Sequence, residues 1–398
     1  KFVLYGEYFR DEDTRKTLAV DNATGRALHG DEIYSRKHHM EFDKQKELEI
    51  PASIFSFTNH VNRLQEIDDL LARVKVVDLA VGSGAFPLGM LTEIVKARDT
   101  ITSYMAIDLN RFQRLSLRSM RNPYRLKRET IKNSIFACDI EPSATDITKL
   151  RLWLSLVIDN QIMDKEDEEL GFTTKPRELP NLDCNIICGN SLMDEFEGIK
   201  LITENSELNN ISGKEQGTIY DLSLGKMINE LIELQEKLYD EKDRTEKESL
   251  KRQIQDIYDK IIMEQIQTNP QVVDDYYKAM QQLAKPFVLW QLYFPKVFRD
   301  NGGFDIVIGN PPYVQMSKNK DVSDEYKEYL RHRYGTSGGR LNLFIFMIHK
   351  GLELLNQQGT ISYIIPNTIM TQDYYKDTRK VLLYDHSLLL LIDYQDMP

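Results

Sequence analysis

The residues with the clearest chemical potential are Asn310, Pro311, Pro312 and Tyr313, which follow the apolar run 306–309. Two prolines make this loop rigid and remove two backbone N–H groups, so that their carbonyl oxygens can point into a site. The Asn310 side-chain oxygen and the Pro311 carbonyl could each accept one N–H of an amino group whose lone pair is delocalised into a ring. Such a pair draws the nitrogen toward tetrahedral geometry, and Tyr313 offers a face on which an extruded base can stack. The pattern predicts alkylation of an exocyclic amine such as N6 of adenine.

A second candidate site is the glycine-containing segment 78–86. Glycines at a turn between a strand and a helix allow a ligand to approach the backbone, at the edge where open α/β sheets bind their ligands. Leu88 occupies the third glycine position of a dinucleotide fingerprint, which disfavours a dinucleotide. Asp78 could accept hydrogen bonds from an amino-acid ammonium, as in the methionine part of S-adenosylmethionine, although a plain tight turn is the alternative. The predicted cofactor-binding residues here are Asp78, Ala80, Gly82, Gly84 and Phe86.

Asp139 ends the next predicted strand and is the candidate for binding a ribose. Its two carboxylate oxygens could accept from two hydroxyl donors. Asp108, which follows another short apolar run, is the alternative for this role. Asp139 is favoured because Glu141, Pro142 and a helix follow it directly. Either carboxylate could instead cap a helix.

The elements that must position these residues alternate between strands and helices. Strands are predicted at 74–78, 134–138, 185–188, 304–308, 360–365 and 388–392, and helices at 62–72, 87–96, 144–158 and 343–355. This alternation predicts an α/β fold with a mostly parallel sheet that is covered on both faces.

A charged segment interrupts the pattern at 221–268. Two apolar stripes at helical spacing, separated by the charged turn 240–246, predict an inserted antiparallel helical hairpin. The expected organisation is an irregular lead-in over 1–60, a cofactor half over 61–200, the hairpin region over 201–284 and a catalytic half over 285–398.

Composition limits the partners and the compartment. The formal net charge of the 398 residues is -11, which by itself disfavours nucleic acid, yet residues 111–132 hold eight basic residues and one acidic residue. We expect phosphate contacts from 111–132 or, by preference, from 318–340, although 111–132 could instead be a solvated helix face. No apolar run of eighteen residues predicts a membrane span, and the start Lys1-Phe2-Val3 shows no signal peptide. The three cysteines predict neither a metal site nor a disulfide framework, so a cytoplasmic protein is expected.

The motifs resemble those of the γ-class N6-adenine DNA methyltransferases, of the type IIG restriction–modification and phage-defence kind. The resemblance covers about 78–392 and rests on elements that occur in the family's order. These are the loop 78–86, Asp139-Ile140-Glu141-Pro142 with the helix 149–156, Cys188-Gly189-Asn190-Ser191-Leu192, the segment 302–313, Leu341-Asn342-Leu343-Phe344 and Ile364-Ile365-Pro366-Asn367. Leu79 replaces a usual proline, and residues 57–59 only weakly match the family's upstream Thr-Pro signature.

The resemblance implies a Rossmann-like S-adenosylmethionine-dependent methyltransferase sheet that acts on adenine N6 in double-stranded DNA. It also implies that Asn190 lies near the cofactor's adenine, where an acidic residue is commoner, and we assign Ile140 and Ser191 to the same pocket. A target-recognition domain and a nuclease domain are expected outside this chain. The alternatives are a protein-glutamine methyltransferase of the release-factor type, against which the hairpin counts, and a non-catalytic DNA-binding subunit, against which Asn310 and Tyr313 count.

Overall fold

The computed structural model describes residues 19–20, 27–28, 61–107, 109–169, 179–201, 219–316, 322–335 and 342–393. Two compact units are formed, one by Lys1–Arg73 with Met90–Thr130 and the other by Val74–Gly89 with Ile131–Pro398. The candidate Asp108 and the segment 57–59 lie outside the described residues. Within the predicted lead-in, strands β1 (Ala19–Val20) and β2 (Ala27–Leu28) form a short antiparallel pair.

The first unit is helical. It contains α1 (Val61–Arg73), most of α2 (Ala85–Met105), α3 (Arg111–Met120) and most of α4 (Pro123–Ser134). Leu64 and Ile101 form its apolar centre. Asp68 is 2% exposed and accepts hydrogen bonds from the guanidinium groups of Arg98 and Arg121. These pairs compensate for the burial of the charges and join α1, α2 and the residue that follows α3.

The second unit is built on the central sheet. The strands of this unit are β3 (Val76–Asp78), β4 (Ile135–Asp139), β5 (Ile186–Cys188), β6 (Glu195–Phe196), β7 (Ile199–Lys200), β8 (Phe304–Gly309) and β9 (Leu355–Tyr363). Of these, β6 and β7 form a separate antiparallel pair. Its helices are α5 (Pro142–Glu169), α6 (Ile219–Asp240), α7 (Arg244–Ile266), α8 (Pro270–Met280), α9 (Trp290–Tyr293), α10 (Pro295–Asn301), α11 (Asp324–Arg333), α12 (Leu343–Leu354), α13 (Thr368–Thr371) and α14 (Lys376–Lys380).

Five strands form one sheet in the order β5-β4-β3-β8-β9, and every neighbouring pair is parallel. The predicted α/β fold with a parallel sheet is therefore confirmed. The chain adds strands outward from β3 to β5 and then returns to place β8 on the other side of β3. This reversal of strand order creates a crevice at the carboxyl ends of β3 and β8, which is where open α/β sheets bind ligands.

The core of this unit explains why these sequences form strands. Val77 and Phe304 are fully buried in neighbouring strands, and Phe304 makes edge-to-face contacts with Trp290 and Phe298. Such aromatic pairs stabilise a core beyond their burial alone. The aromatic cluster holds the short helices α9 and α10 against the sheet just before β8 begins.

The predicted helical hairpin is present as α6 and α7, joined by residues 241–243, and α8 adds a third helix. Its apolar stripes enter the same core as the sheet, with Leu231 and Ile262 fully buried. The Asp243 side chain caps the N-terminus of α7, because it accepts a hydrogen bond from the backbone N–H of Glu246 at 2.9 Å.

Predictions about four elements were wrong or incomplete, one of them the helix predicted at 144–158, which extends over the whole of α5. Residues 388–392 form no strand, and their side chains are 53–73% exposed. β9 pairs with β8 alone among the described strands, and residues 388–392 do not pair with its outer edge. The helix predicted at 87–96 extends over the whole of α2, and β9 begins five residues before the predicted strand.

No described helix is long and apolar enough to cross a membrane.

Candidate active site

Asp78 occupies the carboxyl end of the central strand β3 and is almost completely buried. Its Oδ1 accepts a hydrogen bond from the backbone N–H of Ala80 at 3.1 Å, while Oδ2 has no partner among the described residues. Burial raises the pKa of Asp78 to about 7, the Ala80 N–H opposes this rise, and the nearby charge of Asp139 adds to it. A buried oxygen without a partner fits a cationic ligand group, which would supply the missing hydrogen bond and charge.

The glycine loop turns sharply because two residues adopt left-handed conformations, with φ +52° at Gly82 and +76° at Gly84. A Cβ at Gly84 would lie 2.7 Å from the Thr148 hydroxyl oxygen of α5, so this position admits only glycine. At Gly82 a Cβ would meet nothing within 4 Å, which leaves that face of the loop open to a ligand.

Asp139 lies beside the glycine loop and holds it. Its Oδ2 accepts from the Gly82 N–H at 2.8 Å, and its Oδ1 accepts from the Glu141 N–H at 2.9 Å. A carboxylate has about four lone-pair sites, so each oxygen can still accept from a hydroxyl group. The neighbouring Ile140 side chain is 60% exposed and offers an apolar surface. The predicted roles of Asp139 and Ile140 in binding a ribose and a base remain predictions.

Asn190 follows β5, two residues beyond its end, and is braced from two directions. Its backbone N–H donates to the carbonyl oxygen of Lys285 at 3.0 Å, and its Oδ1 accepts from the Leu192 N–H and the Tyr326 hydroxyl, each at 3.2 Å. Ser191 is buried, with its hydroxyl 3.8 Å from the sulfur of Met347. The predicted contribution of Ser191 to a cofactor pocket would therefore come from its backbone.

The strand order aligns three of these residues along one edge. Asp78, Asp139 and Asn190 follow or end β3, β4 and β5, which are consecutive neighbours. Strands lie about 4.8 Å apart, so the row spans roughly 10 Å. Ala80 and Phe86 are half-buried within the loop and first helical turn at the Asp78 end of this row. The row suits an elongated ligand with a cationic group at Asp78, hydroxyl groups at Asp139 and a further polar part at Asn190.

The predicted catalytic loop leaves the carboxyl end of β8, on the other side of β3. Asn310 is exposed and the next residue, Pro311, is buried. The Asn310 side chain is therefore accessible to a ligand, while the backbone that carries it is anchored. Ile364 holds both ends of the loop, since its N–H donates to the Gly309 carbonyl at 3.1 Å and its carbonyl accepts from the Tyr313 hydroxyl at 2.8 Å. The Tyr313 ring is 47% exposed, which leaves a face available for stacking.

Gly309 brings the two loops into contact. A Cβ at Gly309 would lie 2.8 Å from Asp78 Oδ1, closer than real side chains approach. The absence of a side chain therefore lets β8 end directly against the Asp78 carboxyl group. Asp78, the candidate for cofactor binding, and Gly309, the residue before Asn310, are therefore neighbours in space. A group transfer between two bound molecules requires such proximity.

The second basic segment is partly committed to internal contacts. Arg333 donates to Asp194 Oδ2 at 2.9 Å and to both carboxylate oxygens of Glu353 at 2.9 Å each. Arg331, two residues earlier on α11, is exposed. Of the basic residues predicted to contact phosphate, Lys318, Lys320 and Arg340 lie outside the described residues. Arg333 is thus a structural cation, and the phosphate hypothesis for this segment remains a prediction for the others.

Basic residues in the first segment divide in the same way. Arg121 binds Asp68, and the Arg114 guanidinium donates to the carbonyl oxygens of Ile107 and Leu109. The side chains of Arg111, Arg118 and Arg125 are exposed, and they are the candidates for phosphate contacts in this segment.

Sequence reasoning assigned no role to Ile364, Thr148 or Tyr326. Ile364 acts through its backbone groups, which leave no side-chain signal, and Thr148 acts through its proximity to Gly84. Tyr326 lies in a charged amphipathic helix, where nothing in its sequence neighbours indicates a contact 136 residues away.

Comparisons with known proteins show what the chain is similar to. Residues 133–398 match the Eco57I restriction-modification methylase family. RM.MjaORFECS2P of Methanocaldococcus jannaschii is 27% identical over 366 residues, which cover 81% of this chain and 28% of that protein. The type II restriction enzyme and methyltransferase RM.Eco57I of Escherichia coli is 21% identical over 320 residues, covering 80% of this chain and 22% of that protein.

A third relative shares a higher identity over a shorter stretch. The type II methyltransferase M.BstVI of Geobacillus stearothermophilus is 33% identical over 107 residues, 27% of this chain and 18% of that protein. The chain therefore spans less than a third of the length of these curated relatives.

Proposed function

Because the chain belongs to the Eco57I restriction-modification methylase family, we propose that it transfers a methyl group from S-adenosylmethionine to N6 of adenine in double-stranded DNA. The observation that carries this proposal is the contact between Asp78 and Gly309, which joins a cofactor-type loop to the Asn310-Pro311-Pro312-Tyr313 loop. Its relatives are named as type II methyltransferases and restriction enzymes. DNA as the substrate and adenine N6 as the target are our inferences, the latter from the chemistry of the loop.

The row at the sheet edge fits the cofactor. Asp78 would bind the methionine ammonium, Gly82 and Gly84 would let the molecule approach the backbone, and Asp139 would bind the ribose hydroxyls. When bound, S-adenosylmethionine supplies an electrophilic methyl group on its sulfonium sulfur. The supporting observations are the unpartnered Asp78 Oδ2 and the open face of Gly82.

The catalytic loop would hold the target amine. Asn310 Oδ1 and the Pro311 carbonyl oxygen would each accept one N–H, and these bonds strengthen as positive charge develops on the nitrogen. Tyr313 would stack on the base, a contact worth roughly 1–3 kcal/mol, which offsets part of the cost of extruding it. Because Ile364 holds Gly309 and Tyr313 in place, the loop is ordered before substrate binds.

The proposed partners follow from the substrate. Sequence reading would come from a target-recognition domain outside this chain, and a nuclease domain would complete a restriction–modification or phage-defence protein. A DNA substrate would place the protein in the cytoplasm. The exposed Arg331 and the residues 111, 118 and 125 are the described candidates for phosphate contacts.

Incubation of the full-length protein with labelled S-adenosylmethionine and plasmid DNA, followed by mapping of the modified base, tests the proposal. We expect N6-methyladenine from the wild type. Asn310→Ala should keep cofactor affinity within about twofold and reduce turnover on the order of a hundredfold or more, by analogy with loss of a transition-state hydrogen bond. Label on cytosine or on protein glutamine would refute the proposal, as would undiminished turnover by the variant.

A further inference from the structure

Arg151, within the helical motif 149–156 of α5, contacts the backbone of the glycine loop. Its Nη1 donates to the Ser83 carbonyl oxygen at 2.7 Å and also to the Ser83 hydroxyl oxygen at 3.3 Å. The two residues are 68 positions apart in the chain. Because the donor is ionised, the bond to the carbonyl is stronger than a hydrogen bond between neutral groups.

The Ser83 carbonyl oxygen cannot obtain a hydrogen bond from the helix that follows it. In an α-helix, each carbonyl accepts from the N–H four residues later. The residue four positions after Ser83 is Pro87, which has no N–H. The N–H of the next residue, Leu88, donates to the Gly84 carbonyl at 3.1 Å. Arg151 therefore supplies the donor that α2 does not provide.

A second side chain of α5 holds the preceding carbonyl of the loop. Thr148 lies three residues before Arg151, so the two side chains are neighbours on the helix surface. The Thr148 hydroxyl donates to the Gly82 carbonyl oxygen at 3.2 Å. In a trans peptide group the N–H points opposite to the carbonyl, so the N–H of Ser83 points away from Thr148. Ser83 is exposed, and its N–H has no acceptor among the described residues.

α5 is attached to the rest of the sheet unit independently of the glycine loop. The Trp153 indole N–H donates to the Pro180 carbonyl oxygen at 2.8 Å, and Lys149 Nζ donates to Asp183 Oδ1 at 2.6 Å. Leu152, between them on the helix, is 1% exposed. A helix that is fixed by these contacts can determine the conformation of the loop.

We propose that Arg151 is a positioning residue for cofactor binding, which holds the Ser83 peptide group so that the glycine loop has its binding conformation before the ligand arrives. This inference rests on the proposed S-adenosylmethionine site. Gly82 and Gly84 can adopt many backbone conformations, so the loop needs external contacts to keep one of them. Without Arg151 the binding conformation would be less populated, and the apparent affinity would fall by the same factor.

Calorimetry with S-adenosylhomocysteine, the product that remains after methyl transfer, tests this role on the 398-residue chain. Arg151→Met keeps an apolar stem and removes the donor, and it should weaken binding about tenfold or more. Arg151→Lys keeps a charged donor and should lose less. Lys149→Met is the matched control, because Lys149 lies on the same helix but binds Asp183 instead of the loop. It should lower the melting temperature and change the affinity by less than about twofold.

Hydrogen exchange of the ligand-free chain gives a readout that does not depend on the cofactor. The N–H groups of Gly82 and Gly84 donate to acceptors within the protein at 2.8 and 2.9 Å. If Arg151 holds the loop, Arg151→Met should accelerate exchange at both amides, because the loop opens more often. Lys149→Met should leave their exchange rates unchanged.

The possible failures differ in what they refute. If the wild type does not bind S-adenosylhomocysteine, the cofactor assignment fails and the inference fails with it. If the wild type binds it and Arg151→Met binds equally well, the cofactor assignment stands and only the positioning role is wrong. Equal losses of affinity in Arg151→Met and Lys149→Met would also overturn that role, as would unchanged exchange at residues 82 and 84 in Arg151→Met.

Discussion

Replacement of Asp78 by asparagine is expected to stabilise the sheet unit. The side chain is 2% exposed, and burial raises its pKa from 3.8 to about 7. Because the folded-state pKa lies above the unfolded-state value, the wild type loses stability as the pH rises from about 4 to about 7. One pKa unit corresponds to about 1.4 kcal/mol, so the loss between about pH 5 and about pH 8 amounts to roughly 3 kcal/mol. The amide carries no charge at either pH and avoids this loss.

Urea unfolding followed by tryptophan fluorescence will measure this effect. Both tryptophans of the chain, Trp153 and Trp290, lie in the sheet unit, so the signal reports its unfolding. The free energy of unfolding of Asp78→Asn, relative to wild type, should increase by about 3 kcal/mol between about pH 5 and about pH 8. A pH-independent difference between the two proteins would refute the assignment of a buried, uncompensated carboxyl group.

Asp183→Asn is a matched control with the opposite electrostatics. Burial of Asp183 is outweighed by Lys149 and Lys251, which lower its pKa to about 2. Its stabilising contribution is present above the unfolded-state pKa and is lost only as the pH falls toward about 2. The free-energy difference of this variant from wild type should therefore stay constant over the same pH range.

The same Asp78 variant should bind the cofactor more weakly. Loss of a charge-assisted hydrogen bond reduces affinity by roughly 1.5–3 kcal/mol, or about tenfold to 150-fold. We therefore expect one substitution to raise stability at neutral pH and to lower affinity for S-adenosylhomocysteine, which calorimetry will measure. Unchanged affinity would show that the ammonium binds elsewhere.

Five other variants, at Gly309, Tyr313, Arg331 and Arg333, provide three further tests. Gly309→Ala should weaken cofactor binding and turnover together, because its Cβ would displace the Asp78 carboxyl group, and an effect on turnover alone would contradict this. Tyr313→Ala should reduce methyl transfer to DNA more than Tyr313→Phe, which loses only a hydrogen bond worth about 0.5–1.5 kcal/mol; equal losses would argue against stacking. Arg331→Gln should flatten the salt dependence of DNA binding, whereas Arg333→Gln should lower the melting temperature, and the reverse outcome would show that Arg333 contacts phosphate.

Much of the fold was predictable from local pattern. The strands around Val77, Phe136 and Val307 are apolar runs that end in polar or glycine residues, and helices follow two of them. A parallel sheet buried on both faces requires such runs, so their number and order already indicated the fold class. The stripes of the hairpin were equally clear, because helical spacing is a property of a single segment.

Other features could not be predicted from local pattern. The apolar residues 388–392 have strand composition, but a strand forms only where a partner supplies hydrogen bonds, and no described strand does so. Arg333 belongs to a basic segment in sequence, yet Asp194 and Glu353 neutralise it in space. Strand propensity and charge are properties of a single segment. Neither includes the residues, distant in sequence, that the fold places next to that segment.

The candidate site shows the same division. The types and spacing of Asp78, Gly82, Gly84, Asp139 and Asn310–Tyr313 were determined by the sequence alone, since each loop carries its chemistry within a few residues. Only the tertiary structure decided that residue 309 lies against residue 78, that residue 364 holds the catalytic loop, and that residue 326 orients residue 190. These contacts depend on which strands become neighbours, and strand order is set by the packing of the whole unit rather than by any one segment.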